Sequence, residues 1–284
     1  MKPTLDALLV FPQRVLPQRA LSDLVRWLTR LRSPQLAPMV IRAFCRWYAV
    51  NLAEAERSEA TDYHSFNDFF TRALRSGVRP LPAASAAIAS PADGTLSQFG
   101  QIANGQLLQA KGRSFSLAAL LAGNTLLAGK LAGGRFAVVY LAPRDYHRVH
   151  AAMACQITDI TFVPGTLYSV NDRTARVIDQ LYARNERVIL AGECEWGPCA
   201  LVMVGAMLVS SMAVRGFDLD ALSRGAQTAT KARVDPGLAY ARGEEMGRFN
   251  MGSTVVLLLP AGAPNWSADL APGLPLLMGH ALSR

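Results

Sequence analysis

Five consecutive aliphatic residues, Val255 to Leu259, form the stretch that most constrains how this chain can fold. The run begins with two β-branched residues and is stopped by Pro260, so it predicts a short, buried β-strand. Gly252 and Ser253 stand directly ahead of the run, followed by a threonine. We therefore expect Ser253 to be held at the entrance of a rigid strand, behind a glycine that can adopt strained backbone angles.

A serine held in this way can attack its own peptide bond. The Ser253 hydroxyl adds to the Gly252 carbonyl, the amide becomes an ester, and elimination leaves dehydroalanine, which hydrolyses to a pyruvoyl group at position 253. The tripeptide Gly-Ser-Thr is common, however, and an ordinary strand entry explains it without any chemistry. The rest of the sequence has to decide between these two interpretations.

Two other stretches carry side chains that could activate a serine. Residues 90–94 read Ser-Pro-Ala-Asp-Gly and predict a turn that presents the carboxylate of Asp93. Further along, His147 and His150 are two of the four histidines in the chain. Aspartate, histidine and serine are the parts of a relay in which the histidine takes the serine proton. Because the two histidines are three residues apart, their spacing leaves open which one is the base.

With these motifs in view, the chain resembles the phosphatidylserine decarboxylases. The matching motifs stand in the same order between residues 60 and 260, and Met251 departs from them by replacing the usual bacterial leucine, a volume-conserving exchange. The motifs are Phe66-Asn-Asp-Phe-Phe70 with Arg72, Leu74, Arg75, Arg79 and Pro80; Pro91-Ala-Asp-Gly94; Pro143-Arg-Asp-Tyr-His-Arg148 with His150; Arg184-Asn-Glu-Arg187; Val204-Gly-Ala206; and Gly243 to Thr254.

The resemblance implies a role for each candidate catalytic residue. It places the relay on Asp93, His150 and Ser253, with His150 as the base and Asp93 orienting its ring. It assigns His147 to decarboxylation, as a proton donor. The bond between Gly252 and Ser253 is then the cleavage site, and the precursor is a zymogen that processes itself.

The resemblance also implies the reaction and its cofactor. Self-cleavage would give a large chain, 1–252, and a small chain, 253–284, that begins with a covalent, self-derived pyruvoyl group. This group would form a Schiff base with the amine of phosphatidylserine, and the product would be phosphatidylethanolamine, a step of phospholipid biosynthesis. Arg144, Arg148 or Arg248 could hold the anionic groups of the lipid, although a surface or structural role is the favoured interpretation of each.

Two other functions compete with this one. A metal-dependent hydrolase could use His147, His150 and Asp93 as zinc ligands, because the His-x-x-His spacing permits it. The sequence lacks the glutamate of a His-Glu-x-x-His arrangement, and we expect no metal. A membrane-surface binding module, in which these residues are only structural, is the second competitor.

The pattern of elements predicts an α+β fold. Residues 1–82 read as helical and 83–284 as a mostly β domain, because from Asp93 onward short apolar segments alternate with turns rich in Gly and Pro. Helices are predicted in the second part at 116–121 and, less regularly, at 171–184.

Positive charge and predicted amphipathic helices are concentrated near the N-terminus. The first fifty residues hold eight basic and two acidic side chains, which is +6 of the total net charge of +8. Two amphipathic helices are predicted there, around residues 21–31 and after Ser33-Pro34, with arginines beside Leu and Trp. Such faces suit an anionic membrane surface, and a helical pair packed on the protein's own core is the alternative.

The sequence also bears on location and partners. No stretch is long and apolar enough to span a bilayer, and the short apolar run 7–11 is flanked by Asp6 and Pro12, which argues against a signal peptide. We expect a peripheral protein on the cytoplasmic face of the cell membrane. Nucleic acid is disfavoured, because no basic run with interleaved aromatics recurs beyond the N-terminal region. The sequence leaves both a monomer and a homodimer open.

Overall fold

The computed structural model describes residues 3–83, 87–110, 113–207, 211–250 and 253–283. Gly252, the residue predicted to precede the cleaved bond, lies outside these ranges, as does its neighbour Met251. The elements from residue 3 to Phe70 are helical, and strands begin at Gly94. The predicted α+β fold, with N-terminal helices ahead of a mostly β part, is confirmed.

The elements are numbered here in chain order. The helices are α1 (Pro3–Val10), α2 (Pro12–Val15), α3 (Gln18–Arg30), α4 (Leu36–Tyr48), α5 (Phe66–Phe70), α6 (Leu117–Leu120), α7 (Thr125–Lys130), α8 (Asp172–Val177), α9 (Leu181–Arg184) and α10 (Leu219–Ser223). The strands are β1 (Gly94–Gln101), β2 (Gln106–Ala110), β3 (Arg113–Ser116), β4 (Arg135–Leu141), β5 (Arg148–His150), β6 (Cys155–Val163), β7 (Arg187–Cys194), β8 (Gly197–Val204), β9 (Met212–Val214), β10 (Thr230–Tyr240), β11 (Glu245–Phe249), β12 (Ser253–Leu259) and β13 (Pro275–Leu276).

Over the described residues, the strands form one large sheet and two small ones. The large sheet has eight strands in the order β10-β6-β7-β8-β12-β4-β1-β13, and its neighbours are antiparallel. A three-stranded sheet has the order β5-β11-β9, and β2 pairs with β3. Antiparallel neighbours can be joined by tight turns, which explains the Gly and Pro residues between the apolar segments.

Strand β12 is the aliphatic run with which the sequence analysis began. It lies inside the large sheet between β8 and β4, where Ser253 pairs with Leu141 and Thr254 lies between Tyr140 and Val204. Every residue of β12 is buried. A strand covered on both faces is apolar throughout rather than alternating, and the predicted buried strand is confirmed.

Alternate side chains of β12 enter different cores. Val256 and Leu258 belong to a core that includes residues of β2, β3, α6, α8 and α9. Val255 belongs to a core on the other face, together with residues of the three-stranded sheet β5-β11-β9. Ser253 shares the face of Val255, because strand side chains repeat every two residues, and its cross-strand partner Leu141 lies in that same core. The serine is therefore directed toward the sheet that carries His150.

The apolar faces of the N-terminal helices point outward. On α3 the predicted apolar stripe is largely exposed, and on α4 Ile41 is buried while Trp47 is 85% exposed. The exposed large apolar side chains of the first fifty residues are Leu5, Leu8, Leu9, Phe11, Val15, Leu16, Leu24, Trp27, Leu28, Leu31, Leu36, Met39, Val40, Trp47 and Tyr48. Packing on the protein's own core, the alternative left open by the sequence, does not account for this face. None of the helices in the described ranges is long and apolar enough to cross a bilayer.

The segment predicted as one helix over 171–184 is instead two helices, α8 and α9. Gln180 lies between them with a φ of 53°. The side chain of Gln109 holds this break: its amide nitrogen donates to the carbonyl of Ile178 at 2.7 Å, and its oxygen accepts the N–H of Leu181 at 2.8 Å. A contact from a distant strand thus overrides the local helical preference.

Candidate active site

Ser253 is buried at the start of β12 with an unsatisfied hydroxyl. The residue is 1% exposed, and its Oγ has no hydrogen-bond partner among the described residues. Leaving a buried hydroxyl unpaired is unfavourable, and native proteins rarely do so without a functional reason. The predicted position of Ser253, at the entrance of a rigid strand, is confirmed.

His150 is the last residue of β5, and both of its ring nitrogens are held. Nδ1 lies 2.8 Å from the carbonyl oxygen of Gly243, and Nε2 lies 3.0 Å from the hydroxyl oxygen of Tyr146. A carbonyl can only accept, so Nδ1 carries the proton and Nε2 is the basic nitrogen of the neutral ring. Burial lowers the pKa of His150 from its ordinary value, which keeps the ring neutral near pH 7.

The carboxylate of Asp93 is held by other partners. The Arg79 guanidinium lies 2.6 Å from one carboxylate oxygen, and the backbone N–H of Met278 donates to the other at 2.7 Å. The same guanidinium also pairs with Glu54 at 2.7 Å. Asp93 and Arg79 have side chains that are 7% and 8% exposed, so this is a buried ion pair.

Of the three predicted relay residues, Asp93 and His150 lie near each other, and no hydrogen-bonded chain joins the three side chains among the described residues. The N–H of His150 donates to the carbonyl of Pro91 at 2.8 Å, which brings the turn containing Asp93 against β5. Within the described ranges no hydrogen bond joins the Asp93 carboxylate to the His150 ring. The Gly243 carbonyl occupies the ring-orienting place expected for Asp93. Burial is the main influence on the pKa of His150, and the charge of Asp93 is one of those that oppose it.

His147 is entirely buried and stands just ahead of β5. Its Nδ1 lies 2.8 Å from the carbonyl oxygen of Asp145, and its ring centroid is 4.0 Å from that of Phe70 in α5. Nε2 has no hydrogen-bond partner in the part of the chain that the structure describes. Burial lowers the pKa of His147 to about 3, so the ring is neutral and Nε2 is a free acceptor.

Arg72, which follows α5, has no assigned role in the sequence analysis and is 4% exposed. Its Nη2 donates to the carbonyls of Arg144 and Asp145 at 3.2 and 3.4 Å. Nε and Nη1 have no hydrogen-bond partner among the residues described. Burial lowers the pKa of this guanidinium from its ordinary value, although the charge remains at neutral pH.

The three arginines considered from the sequence have other surroundings. The side chain of Arg144 is 64% exposed and lies 3.7 Å from Asp145. Arg148 forms an ion pair with Glu245 at 2.8 Å, and Arg248 is exposed on β11. None of the three is a buried donor awaiting an anion.

The metal-hydrolase alternative has no support in this geometry. Among the described residues, no three His, Cys, Asp or Glu side chains lie together in a way that could hold a metal ion. Asp93 is bound to Arg79, and His147 and His150 use their Nδ1 atoms on separate backbone carbonyls. The groups required for a shared ligand set do not converge.

Comparison with known proteins shows the family to which the chain belongs. A family model described as "Phosphatidylserine decarboxylase" matches residues 66–284, and a second model, described as "PSD", matches residues 8–49. The chain belongs to the phosphatidylserine decarboxylase family. The family model covers every candidate catalytic residue as well as Arg72 and Arg79.

Relatives in this family are similar over nearly their whole length. A protein of Acidovorax ebreus is 44% identical over 278 residues, which is 98% of this chain and 98% of that protein. Proteins of Marinobacter nauticus and Nitrosococcus oceani are each 43% identical, over 99% and 98% of this chain and 98% and 92% of their own length. All three are named phosphatidylserine decarboxylase proenzyme.

The roles of several residues of the site cannot be recognised from the sequence. The sequence signal for Arg72 and Arg79 is their place in the Phe66-to-Pro80 motif shared with the family, yet that motif alone indicates only packing. Gly243 and Tyr146 lie inside matched motifs too, but nothing in the sequence shows that their oxygens contact His150. These contacts depend on the way three separate segments meet in the fold.

Proposed function

We propose that the chain decarboxylates phosphatidylserine to phosphatidylethanolamine, using a pyruvoyl group made from its own Ser253 after cleavage between Gly252 and Ser253. The observation that carries the proposal is the buried Ser253 hydroxyl, which lacks a partner within the described residues and stands at the start of an interior strand. The chain's membership of the phosphatidylserine decarboxylase family indicates the substrate. The name proenzyme carried by the relatives agrees with processing of a precursor.

The proposed cleavage needs no oxidant or reductant. Ser253 Oγ bonds to the carbonyl carbon of Gly252, the C–N bond breaks, and the two residues become linked by an ester. Loss of the Cα proton of residue 253 then expels the Gly252 carboxylate and leaves dehydroalanine. One water finally replaces the nitrogen, which departs as ammonia, and residue 253 ends as a pyruvoyl group.

His150 is the proposed base for this step. Its basic Nε2 takes the Ser253 proton after exchanging the Tyr146 hydroxyl for that of the serine. The Gly243 carbonyl fixes the tautomer that makes Nε2 available. The charge of Asp93, which Arg79 holds in place, favours the imidazolium that forms.

The residues around position 253 fit a pyruvoyl group. The Ser253 Oγ itself departs with the Gly252 carboxylate, but His147 Nε2 is a further buried polar atom with no partner in the described ranges and is available to a polar substrate. A pyruvoyl group would supply, through its carbonyl carbon, the electron sink for the pair left by departing carbon dioxide, the role of pyridoxal phosphate elsewhere. In our proposal His147 Nε2, which is unprotonated in the resting ring, takes up a proton from water during the reaction and passes it to the substrate Cα.

Cleavage would not release the small chain. β12 is hydrogen-bonded on both sides, to β8 and β4, and β13 pairs with β1. The N–H of Met278 also donates to Asp93 of the large chain. Residues 253–283 therefore remain part of the sheet after the backbone is cut.

The exposed apolar face of α3 and α4 supports attachment to a membrane surface. Exposed arginines, including Arg32, Arg42 and Arg46, lie in the same region. Apolar and cationic side chains on one surface suit an anionic lipid leaflet such as the cytoplasmic one, where the protein would be peripheral. On this proposal residues 1–82 form the membrane-associating region and 83–284 the catalytic domain.

Replacing the serine tests the proposal. Ser253→Ala should run as one band on a denaturing gel and release no carbon dioxide from phosphatidylserine vesicles, because residue 253 then has no hydroxyl. Ser114→Ala, at an exposed serine of β3, should be cleaved and active like the wild type. Release of carbon dioxide by Ser253→Ala would refute the mechanism, and a wild-type protein that binds vesicles without releasing carbon dioxide would point to a binding module.

A further inference from the structure

A buried arginine next to His147 lacks a counter-ion. The nearby arginines Arg79, Arg148 and Arg57 each pair with a carboxylate. Arg72 forms no ion pair in the described ranges, and its Nε and Nη1 donors are unpaired. We infer that the Arg72 guanidinium binds the phosphodiester of the lipid headgroup beside His147, an inference that rests on the proposed function.

A second buried arginine shows what a purely structural role looks like. Arg187 is 3% exposed, and its three guanidinium nitrogens donate to backbone carbonyls. A guanidinium can thus be satisfied inside this fold without an anion. Arg72 is equally buried, but only its Nη2 is satisfied, so the remaining donors are left for a ligand.

The guanidinium of Arg72 is fixed in position by its surroundings. Nη2 is held by the carbonyls of Arg144 and Asp145, and the ring centroid of Phe69 lies 5.2 Å from the guanidinium carbon. The Arg148 side chain donates to the carbonyl of Thr71 at 3.0 Å, which holds the chain just ahead of Arg72. Donors fixed in this way bind an anion without a large loss of side-chain entropy.

The same backbone carbonyl contacts both Arg72 and His147. The Asp145 oxygen lies 3.4 Å from Nη2 of Arg72 and 2.8 Å from Nδ1 of His147. The unpaired Nε and Nη1 of the arginine and the unpaired Nε2 of the histidine therefore belong to neighbouring side chains. An anion on Arg72 would place the rest of the headgroup next to the proposed proton donor.

The phosphodiester suits this position better than the serine carboxylate. Decarboxylation converts the carboxylate into neutral carbon dioxide, so a guanidinium bound to it would stabilise the starting state more than the transition state. The charge of the phosphodiester persists through the reaction. A contact to it can position the substrate without opposing the chemistry.

The location of Arg72 near the N-terminal helices agrees with a lipid ligand. Phe44 of α4 contacts Phe69 and Phe70 of α5 with ring centroids 5.9 and 6.3 Å apart. Trp47, about one turn further along the same helix, is exposed. Arg72, which follows α5, thus lies close to the helix that we propose meets the membrane.

Binding of a phosphodiester that lacks both amine and carboxylate tests the inference directly. The probe is a short-chain phosphatidylmethanol, titrated calorimetrically into the full-length wild type, Arg72→Lys, Arg72→Gln and Arg75→Gln. Arg75→Gln is the matched control, because it removes one positive charge three residues away at an exposed position. Self-cleavage on a denaturing gel reports whether each variant folds, and KM and kcat are measured with short-chain phosphatidylserine.

We expect Arg72→Gln to weaken probe binding about ten- to hundredfold, the range for losing charged hydrogen bonds, and to raise KM more than it lowers kcat. Arg72→Lys, which keeps the charge, should lose less, and Arg75→Gln should match the wild type. Inhibition by free L-serine, which has the carboxylate but no phosphate, should not change. Unchanged probe binding in Arg72→Gln would overturn the inference, as would a loss confined to L-serine, which would assign the guanidinium to the carboxylate.

One further measurement tests the inference even if Arg72→Gln does not fold. In the wild type the guanidinium N–H resonances of Arg72, assigned by their loss in Arg72→Lys, should shift when phosphatidylmethanol is added. Resonances that do not move would refute the subsite. Because probe binding does not require turnover, an inactive wild-type protein would refute the proposed decarboxylation without deciding the role of Arg72.

Discussion

At the scale of single residues, the two histidines of the site differ in what their Nε2 atoms meet. His150 Nε2 contacts the Tyr146 hydroxyl, whereas His147 Nε2 has no partner among the described residues. In both rings Nδ1 donates to a backbone carbonyl, so Nε2 is the basic nitrogen of each. The surroundings of the two Nε2 atoms differ. This difference supports separate roles, the first in self-cleavage and the second in decarboxylation.

Replacing each histidine by alanine should separate those roles. His150→Ala should remain one uncut chain, because no base is left to take the Ser253 proton. His147→Ala should be cut normally but lose decarboxylation by about a hundred- to ten-thousandfold, the usual contribution of a general acid. A gel and a carbon dioxide assay measure both effects, with the exposed His64→Ala as control. The assignment fails if His147→Ala is the variant that stays uncut.

The buried His147 also predicts how stability depends on pH. Its pKa is about 3 in the folded protein because of burial, against about 6.5 in an unfolded chain, so the unfolded state binds the proton more tightly. The free energy of unfolding should therefore fall as the pH drops below about 6.5, by up to about 2 kcal/mol between pH 7 and pH 5. Urea unfolding of the wild type and His147→Gln at both pH values isolates this contribution, and an equal loss in the two proteins would contradict it.

Residue identities in the site could be predicted from the sequence, but their contacts could not. Ser253 follows from a glycine ahead of an aliphatic run, and the paired histidines stand out because the chain has few. Asp93 pairs with Arg79 instead of contacting the His150 ring, and this salt bridge joins residues from separate segments of the chain. No local pattern encodes such a pairing, and the same holds for the unpaired guanidinium of Arg72.

At the scale of secondary-structure elements, sequence periodicity predicts whether a segment is a helix or a strand. It predicts the length and the exposure of that segment less well. β12 and the cap formed by Ser65, whose hydroxyl accepts the N–H of Asp68 at 3.2 Å, follow local rules. The helix expected over 171–184 is divided because Gln109 of β2 satisfies the backbone at the break. The outward orientation of the apolar stripe on α3 depends on packing. An amphipathic sequence pattern predicts an apolar face on the helix but does not predict what packs against that face.

The exposed face of α4 leads to a prediction about lipid binding. Trp47→Glu should weaken binding to anionic vesicles about ten- to hundredfold, because the indole can no longer enter the interface and a negative charge replaces it. Leu126→Glu makes a similar change at a residue of α7 that is 74% exposed and far along the chain from α3 and α4. Vesicle co-sedimentation of both variants measures the effect, and an equal response would argue against a membrane face on α4.

At the scale of the whole molecule, Ser253, the residue that would begin the small chain, starts a strand inside the large sheet. The small chain would keep its strand pairing with β8 and β4 and the contact of Met278 with Asp93. We therefore expect the two chains to co-elute under native conditions and to separate only after denaturation. A self-made cofactor at the end of a central strand would in this way stay fixed against its surroundings.

The intact mass of the purified, active protein under denaturing conditions tests this account most directly. We predict two chains, residues 1–252 and 253–284, with the small one beginning in a pyruvoyl group that blocks Edman degradation. Together they should differ from the precursor by one added water and one lost ammonia. An active preparation whose polypeptide remains a single chain with serine at position 253 would contradict the account.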